Sequence, residues 1–182
     1  MKIDGNGQAK ILTQNEIRLL FTEGLMIPRD RALFAVLLYC GCRVSEALAL
    51  TTDDFRGGVV TLKKATTKGK TGTRSIPLHP QLKEYLEAYN PKPGIVFPGR
   101  HGRGLLTRAA ADLILKAACE RLGLVGVSTH SFRRTALTNL HNNGVPLRVI
   151  QQISGHSSLG VLQRYLEVDP EQTLAAIASL KF

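Results

Sequence analysis

The sequence predicts a mainly α-helical domain interrupted by one small antiparallel β-sheet, an α+β arrangement, and three observations carry that reading. A helix-start signal stands early, in the capping-box spacing of Thr13-Gln-Asn-Glu16 ahead of Ile17, Leu20 and Phe21. Apolar segments of helical length and spacing make up most of the remaining chain. Once only, the texture changes to the run Val59-Val-Thr-Leu62 and the run Arg74-Ser-Ile-Pro-Leu78, separated by a stretch rich in lysine, threonine and glycine.

Taken in order, a polar, glycine-containing lead over residues 1–10 is expected to be flexible, and the domain is expected to occupy residues 11–182. Pro28-Arg-Asp30 opens a second helix that runs to about Tyr39, and Gly41 breaks it before a short helix from Val44 to Leu50. The two strands form a hairpin, with a further short strand expected before Gly57-Gly58. Helices are then expected at about 80–89, 107–122, 130–142, 146–153, 157–167 and 169–180, with Pro91 to Gly104 as the main loop. No repeat, low-complexity tract or linker divides the chain.

At 182 residues, one domain with a substantial core is the expectation. Lys and Arg number 24 against 14 Asp and Glu, a formal net charge of +10, which points to a polyanionic partner. No lipidation motif, basic amphipathic helix or long apolar span supports a membrane, so nucleic acid is the better partner. The three cysteines, Cys40, Cys42 and Cys119, have neither a disulfide framework nor zinc-ligand spacing and read as small buried hydrophobes. Without a signal peptide, the expected compartment is the cytoplasm.

The chemistry lies in spaced elements: Gly41-Cys-Arg43-Val-Ser-Glu46-Ala-Leu48, then His130-Ser-Phe-Arg133, then Gly155-His156, then Tyr165 nine residues beyond that histidine. Any one alone is ordinary, since a His-x-x-Arg pair or a lone Tyr is usually solvated or packed. In this order and local context they resemble the catalytic domain of the tyrosine recombinase, or phage integrase, family, and the resemblance covers nearly the whole chain. It implies that family's catalytic-domain fold and a site-specific DNA recombinase that cleaves and rejoins strands.

Transesterification of a DNA phosphodiester needs a nucleophile, stabilisation of a pentavalent transition state and a proton for the departing 5′ oxygen. Tyr165 would attack in line and leave a 3′-phosphotyrosyl link, so no cofactor and no metal is implied. Arg43 and Arg133 suit a phosphate clamp, because a guanidinium stays charged and donates two parallel hydrogen bonds. His130 and His156 resemble the family's two histidines, one assisting proton transfer and one donating to the scissile phosphate. Family members place the acid on a hairpin lysine, and here Lys68 is preferred over Lys70, which remains a phosphate contact or the alternate acid. Glu46 resembles the family's acidic position and is read as an orienting partner for an arginine or lysine. Lys70, Arg74, Ser131 and Arg134 are the expected contacts to DNA.

Most family members carry an N-terminal helical domain that closes the other half of a clamp around DNA. The reading here is a single catalytic domain without that core-binding domain, either as a fragment or as a short single-domain recombinase. The apolar positions after Tyr165 fit two arrangements, packing on the chain's own core or docking on another subunit of a synaptic tetramer. Two rival functions are a DNA-binding accessory protein that has lost cleavage and a type IB topoisomerase-like activity. The intact set of Arg43, His130, Arg133, His156 and Tyr165 argues against the first, and the short chain and Gly-His spacing argue against the second.

Overall fold

A computed structural model describes residues 9–63, 72–99, 104–164, 166, 174 and 177–180. The first helix, α1 (Gln14–Leu19), starts as its spacing predicts: Thr13 Oγ1 accepts the Glu16 N–H at 3.2 Å, and Glu16 Oε2 accepts the Thr13 N–H at 2.9 Å. It runs on as a π-helical turn, Leu20–Gly24. A Cβ at Gly24 would lie 2.9 Å from Leu122 Cδ1, so the missing side chain lets this turn approach the helix that carries Leu122.

The next helix, α2 (Pro28–Tyr39), is apolar around most of its circumference, and Ala32 to Leu38 are all buried. A helix of that kind belongs at the centre of a domain. Gly41, at φ +54°, turns the chain into α3 (Val44–Leu48).

The short strand expected before Gly57-Gly58 is reduced to a single antiparallel bridge, Thr51 to Ile95, and a 3₁₀ turn, Thr52–Phe55, follows it. The reason is local: Asp54 Oδ2 accepts both the N–H and the hydroxyl of Thr51 at 2.8 Å, a side-chain cap that competes with extended backbone.

Strands β1 (Val59–Leu62) and β2 (Arg74–Pro77) pair antiparallel, with Val60 opposite Ile76 and Leu62 opposite Arg74. Val60, Leu62 and Ile76 face the core. By the two-residue period of a strand, Arg74 shares the inward face of Ile76. The loop between the strands, with Lys68 and Lys70, lies outside the described residues.

Helices α4 (Pro80–Tyr89), α5 (Arg108–Leu122), α6 (Thr129–Asn142), α7 (Leu147–Ser154) and α8 (Leu159–Gln163) complete the described elements. The main core joins α2 to α6 through Phe132, whose ring lies 5.1 Å from Phe34 and 6.4 Å from Phe21. A second cluster, Leu137, Ile150 and Leu162, packs α6 against α7 and α8. Because α6 belongs to both clusters, the residues at its start are fixed relative to both halves of the domain. All three cysteines are buried and free, as expected.

Of the expected helix at 169–180, the described residues 174, 177 and 178 are helical, and Leu174, Ile177 and Leu180 are exposed. Among the described residues no helix is long and apolar enough to cross a membrane.

The segment before α1 is pinned by a buried contact: the Leu12 N–H donates to Thr135 Oγ1 at 2.8 Å. Thr135→Val keeps the shape but leaves that N–H without its acceptor, so urea unfolding should show a loss of about 1–3 kcal/mol at unchanged m-value. A loss below about 0.5 kcal/mol would show that the contact does not anchor the segment.

Candidate active site

Four pieces of backbone are joined by one set of side-chain contacts: the start of α3, the first residue of β2, the start of α6 and the turn after α7. Glu46 lies three residues into the α3 region from Arg43 and is 1% exposed. Its Oε2 accepts the Arg43 N–H at 2.7 Å, which caps α3. The same carboxylate takes Arg74 in a two-pronged pair, Nη2 to Oε2 at 2.9 Å and Nη1 to Oε1 at 3.2 Å. Arg43 Nη1 lies 3.6 Å from Oε1.

Arg74 also reaches α7, its Nε donating to the Ile153 carbonyl at 2.9 Å. Its guanidinium rests on Gly155, where a Cβ would come within 2.9 Å of Nη1. Gly155 ends α7 at φ +66°, so both backbone conformation and the approach of Arg74 require glycine. One arginine thus ties β2, α3 and α7 together.

Arg133 is 2% exposed and lies three residues after His130, on the same side of α6. Its Nη1 donates to the Gly41 carbonyl at 2.7 Å, and its Nη2 faces His156 Nε2 at 3.0 Å. His156 is buried, with Nδ1 2.8 Å from Ser154 Oγ and its own carbonyl accepting Gln151 Nε2–H at 3.0 Å. His130 is exposed and lines the cleft with Cys42, Arg43, Val44, Thr129 and Arg133.

The electrostatics stem from this crowding. Three guanidiniums, Arg43, Arg74 and Arg133, surround the single carboxylate of Glu46. Burial alone would raise the Glu46 pKa, but Arg74's hydrogen bonds, the Arg43 N–H and the nearby charges outweigh it and hold the carboxyl below its ordinary value. Burial and the charge of Arg43 bring Arg133 down to about 10. Burial, then Arg133 and Arg43, push His156 down to about 3, so that ring is neutral. The protein packed around His130, then Arg108 and Arg133, lowers its pKa as well. Cys42, buried beside Glu46, is pushed up to about 12 and is a poor nucleophile.

Arg43 Nη1 is buried with no hydrogen-bond acceptor among the described residues. A buried donor in an electropositive cleft is the arrangement an incoming anion completes. No group of three or more metal-ligating side chains occurs among the described residues.

The structure brings Arg43, Glu46, His130, Arg133 and His156 together. Tyr165 lies outside the described residues, between Arg164 at the end of α8 and Leu166, which packs on the second cluster. Three residues expected to contact DNA hold intramolecular partners in this structure. Arg74 is on Glu46, Ser131 is buried and its Oγ accepts the Ser128 N–H at 3.0 Å to cap α6, and buried Arg134 donates to the Ala9 carbonyl. Sequence reasoning missed Ser154, Gln151 and the inward pairing of Arg74. The last was readable, since Arg74 stands two residues from Ile76 in a strand.

The ion pair has a pH signature. Because Glu46's pKa is lower folded than unfolded, its contribution is fully present above the unfolded value of about 4.5 and is lost as pH falls through the folded one. Glu46→Gln should cost about 1–3 kcal/mol near pH 7, and the gap to wild type should begin to narrow in urea titrations as pH falls below the unfolded value and close as pH passes through the folded one. A gap that stays constant from neutral pH to pH 3 would show that the carboxylate charge is not what holds Arg74.

A model of the phage integrase family matches residues 10–172. Tyrosine recombinase XerC of Rhodospirillum centenum is 32% identical over 180 residues, covering 90% of this chain and 52% of its own length. Tyrosine recombinase XerD of Lacticaseibacillus casei is 32% identical over 158 residues, covering 81% and 53%. This chain therefore spans about half the length of these relatives. Among solved structures, XerA recombinase shares the fold at TM-score 0.80 and 18% identity, over 100% of this chain and 67% of that one. The catalytic domain of bacteriophage HP1 integrase shares it at TM-score 0.68 and 22% identity, over 94% and 95%. With the family model spanning nearly all of the chain and the arginine cleft in place, the chain belongs to the phage integrase family.

Proposed function

We propose that this domain cuts and rejoins DNA strands at specific sites through a 3′-phosphotyrosyl intermediate. The observation that carries the reading is the cleft lined by Arg43 and Arg133, where Arg43 offers a buried donor with no hydrogen-bond acceptor among the described residues, beside the buried pair of Glu46 and Arg74. Tyr165 Oη attacks the phosphorus in line, the bond to the 5′ oxygen breaks, and Lys68, with Lys70 as the alternate, gives that oxygen its proton. Arg43 and Arg133 bind the non-bridging oxygens, where negative charge grows in the transition state. His130, on the open side of the cleft, assists proton transfer, and His156 acts on the phosphate through Arg133, against which its ring is packed.

Double-stranded DNA is the partner, and further copies of the protein on paired sites complete the exchange. The chain's net charge of +10 supports this. So do two fold neighbours, Tn1549 integrase in complex with circular intermediate DNA and XerH recombinase bound to its difH substrate before and after cleavage.

The test is to incubate the full chain with a library of randomised duplexes carrying a nick, isolate denaturation-resistant protein–DNA adducts and sequence the DNA. A recovered duplex should be cut and, with a second copy present, joined to it. Relaxation of supercoils without joining would favour a topoisomerase, and binding without adduct an accessory protein. Tyr165→Phe should bind the duplex and form no adduct; a normal adduct from that variant would remove the nucleophile. Arg43→Lys and Arg133→Lys should each slow adduct formation by about 100-fold or more, because a point charge cannot make the two-pronged contact. Near-normal rates for both would place the clamp elsewhere.

The acid is separable by chemistry. A 5′-bridging phosphorothiolate expels sulfur without needing a proton, so it should rescue the variant that lacks the acid. Rescue of Lys68→Ala and not of Lys70→Ala is expected, and the reverse pattern transfers the role to Lys70.

A further inference from the structure

The imidazole of His156 sits between two groups that fix the position of its proton. Arg133 Nη2 lies 3.0 Å from Nε2 and 3.5 Å from Nδ1, and a guanidinium nitrogen only donates, so the nearer Nε2 presents its lone pair. The neutral ring then carries its proton on Nδ1. That nitrogen lies 2.8 Å from Ser154 Oγ, and the serine hydroxyl is placed to donate to the Gln151 carbonyl at 3.3 Å. In this chain of bonds each proton has an acceptor: Nδ1–H to Ser154, Ser154 O–H to Gln151, and Arg133 N–H to Nε2. The opposite tautomer would set an N–H of the ring against an N–H of Arg133.

Ser154 is wholly buried in the last turn of α7, where a hydroxyl needs a purpose. Its neighbours on the path to the cleft are held by hydrogen bonds. Gln151 holds the His156 carbonyl, and the Gly41 carbonyl holds the other end of Arg133.

We propose that Ser154 is a positioning residue that fixes His156 as the Nδ1–H tautomer, so that Nε2 accepts from Arg133 and holds its guanidinium toward the cleft. The tautomer rests on these contacts alone, while its consequence for cleavage rests on the strand-transfer function proposed for the domain. The strong downward push on the His156 pKa, to about 3, agrees with a ring that stays neutral beside Arg133. A histidine oriented by a hydrogen bond to its other nitrogen is a general device for setting which nitrogen is available.

The test uses the full chain labelled with ¹⁵N at histidine. Long-range ¹H–¹⁵N spectra of the wild type should give His156 one protonated nitrogen, Nδ1, and one bare nitrogen, Nε2. Ser154→Ala should lose that single-tautomer signature and slow adduct formation on the library-selected duplex by about tenfold. Ser154→Thr keeps the hydroxyl and should restore both readouts. Ser154→Cys, close to serine in size but a weak acceptor, should behave as the alanine variant with a melting temperature near wild type, and it replaces that variant should the latter not fold. The proposal is overturned by an Nε2–H signature in the wild type. It is equally overturned if the alanine and cysteine variants keep the wild-type tautomer, whether or not their adduct rate falls, since a slower rate with an unchanged tautomer would mean packing alone. If no duplex is cleaved at all, the strand-transfer function fails, and the tautomer spectra decide the role of Ser154 by themselves.

Discussion

The two-pronged bond between Glu46 and Arg74 is the interaction on which the rest of the site depends. Three guanidiniums packed this closely would repel one another, and burying them costs solvation that only a well-placed carboxylate offsets. Glu46 supplies that carboxylate and spends both oxygens on it. The balance it leaves is positive. One negative charge among three positive ones still attracts an anion, and the repulsion among the arginines is relieved when a phosphate arrives.

Geometry is set by the same bond. Arg74 is the first residue of β2, so fixing its guanidinium fixes the end of the hairpin loop that carries Lys68 and Lys70. Its third bond, to the Ile153 carbonyl, fixes the end of α7 and so the turn to His156. Two glycines make the close approaches possible: Gly155 admits Arg74, and Gly41, turned to positive φ, offers its carbonyl to Arg133. The hydrophobic core enters through Phe132, which packs on Phe34 one residue before Arg133 and holds the start of α6. A functional arginine flanked by a core aromatic is aimed by packing as well as by hydrogen bonds.

What was legible in the sequence is what local chemistry decides. The Thr13 capping box, the start of α2 at Pro28 and its end at Tyr39, and the two strands appear where propensity and spacing put them. The motif residues Arg43, Glu46, His130, Arg133 and His156 were singled out from spacing, and the fold gathers them. The strand expected before Gly57 failed because the Asp54 carboxylate caps Thr51, a competition that a β-rich texture does not reveal. Ser131 stands in the His130–Arg133 motif, which suggests a DNA contact, and its spacing from Ser128 is also that of a helix cap. Arg134 could not have been placed by any local rule, since its partner Ala9 is 125 residues away in the chain. Ser154 likewise gains meaning only once α7 brings it to the ring of His156.

In the proposed reaction Arg43 and Arg133 take the phosphate while Glu46 keeps Arg74. A crystal structure of the full chain with a bound nicked duplex measures this directly. The expected result is a phosphate with its non-bridging oxygens within hydrogen-bond distance of Arg43 and Arg133, and Arg74 still paired to Glu46. A phosphate held by Arg74, with Glu46 released from it, would contradict this assignment.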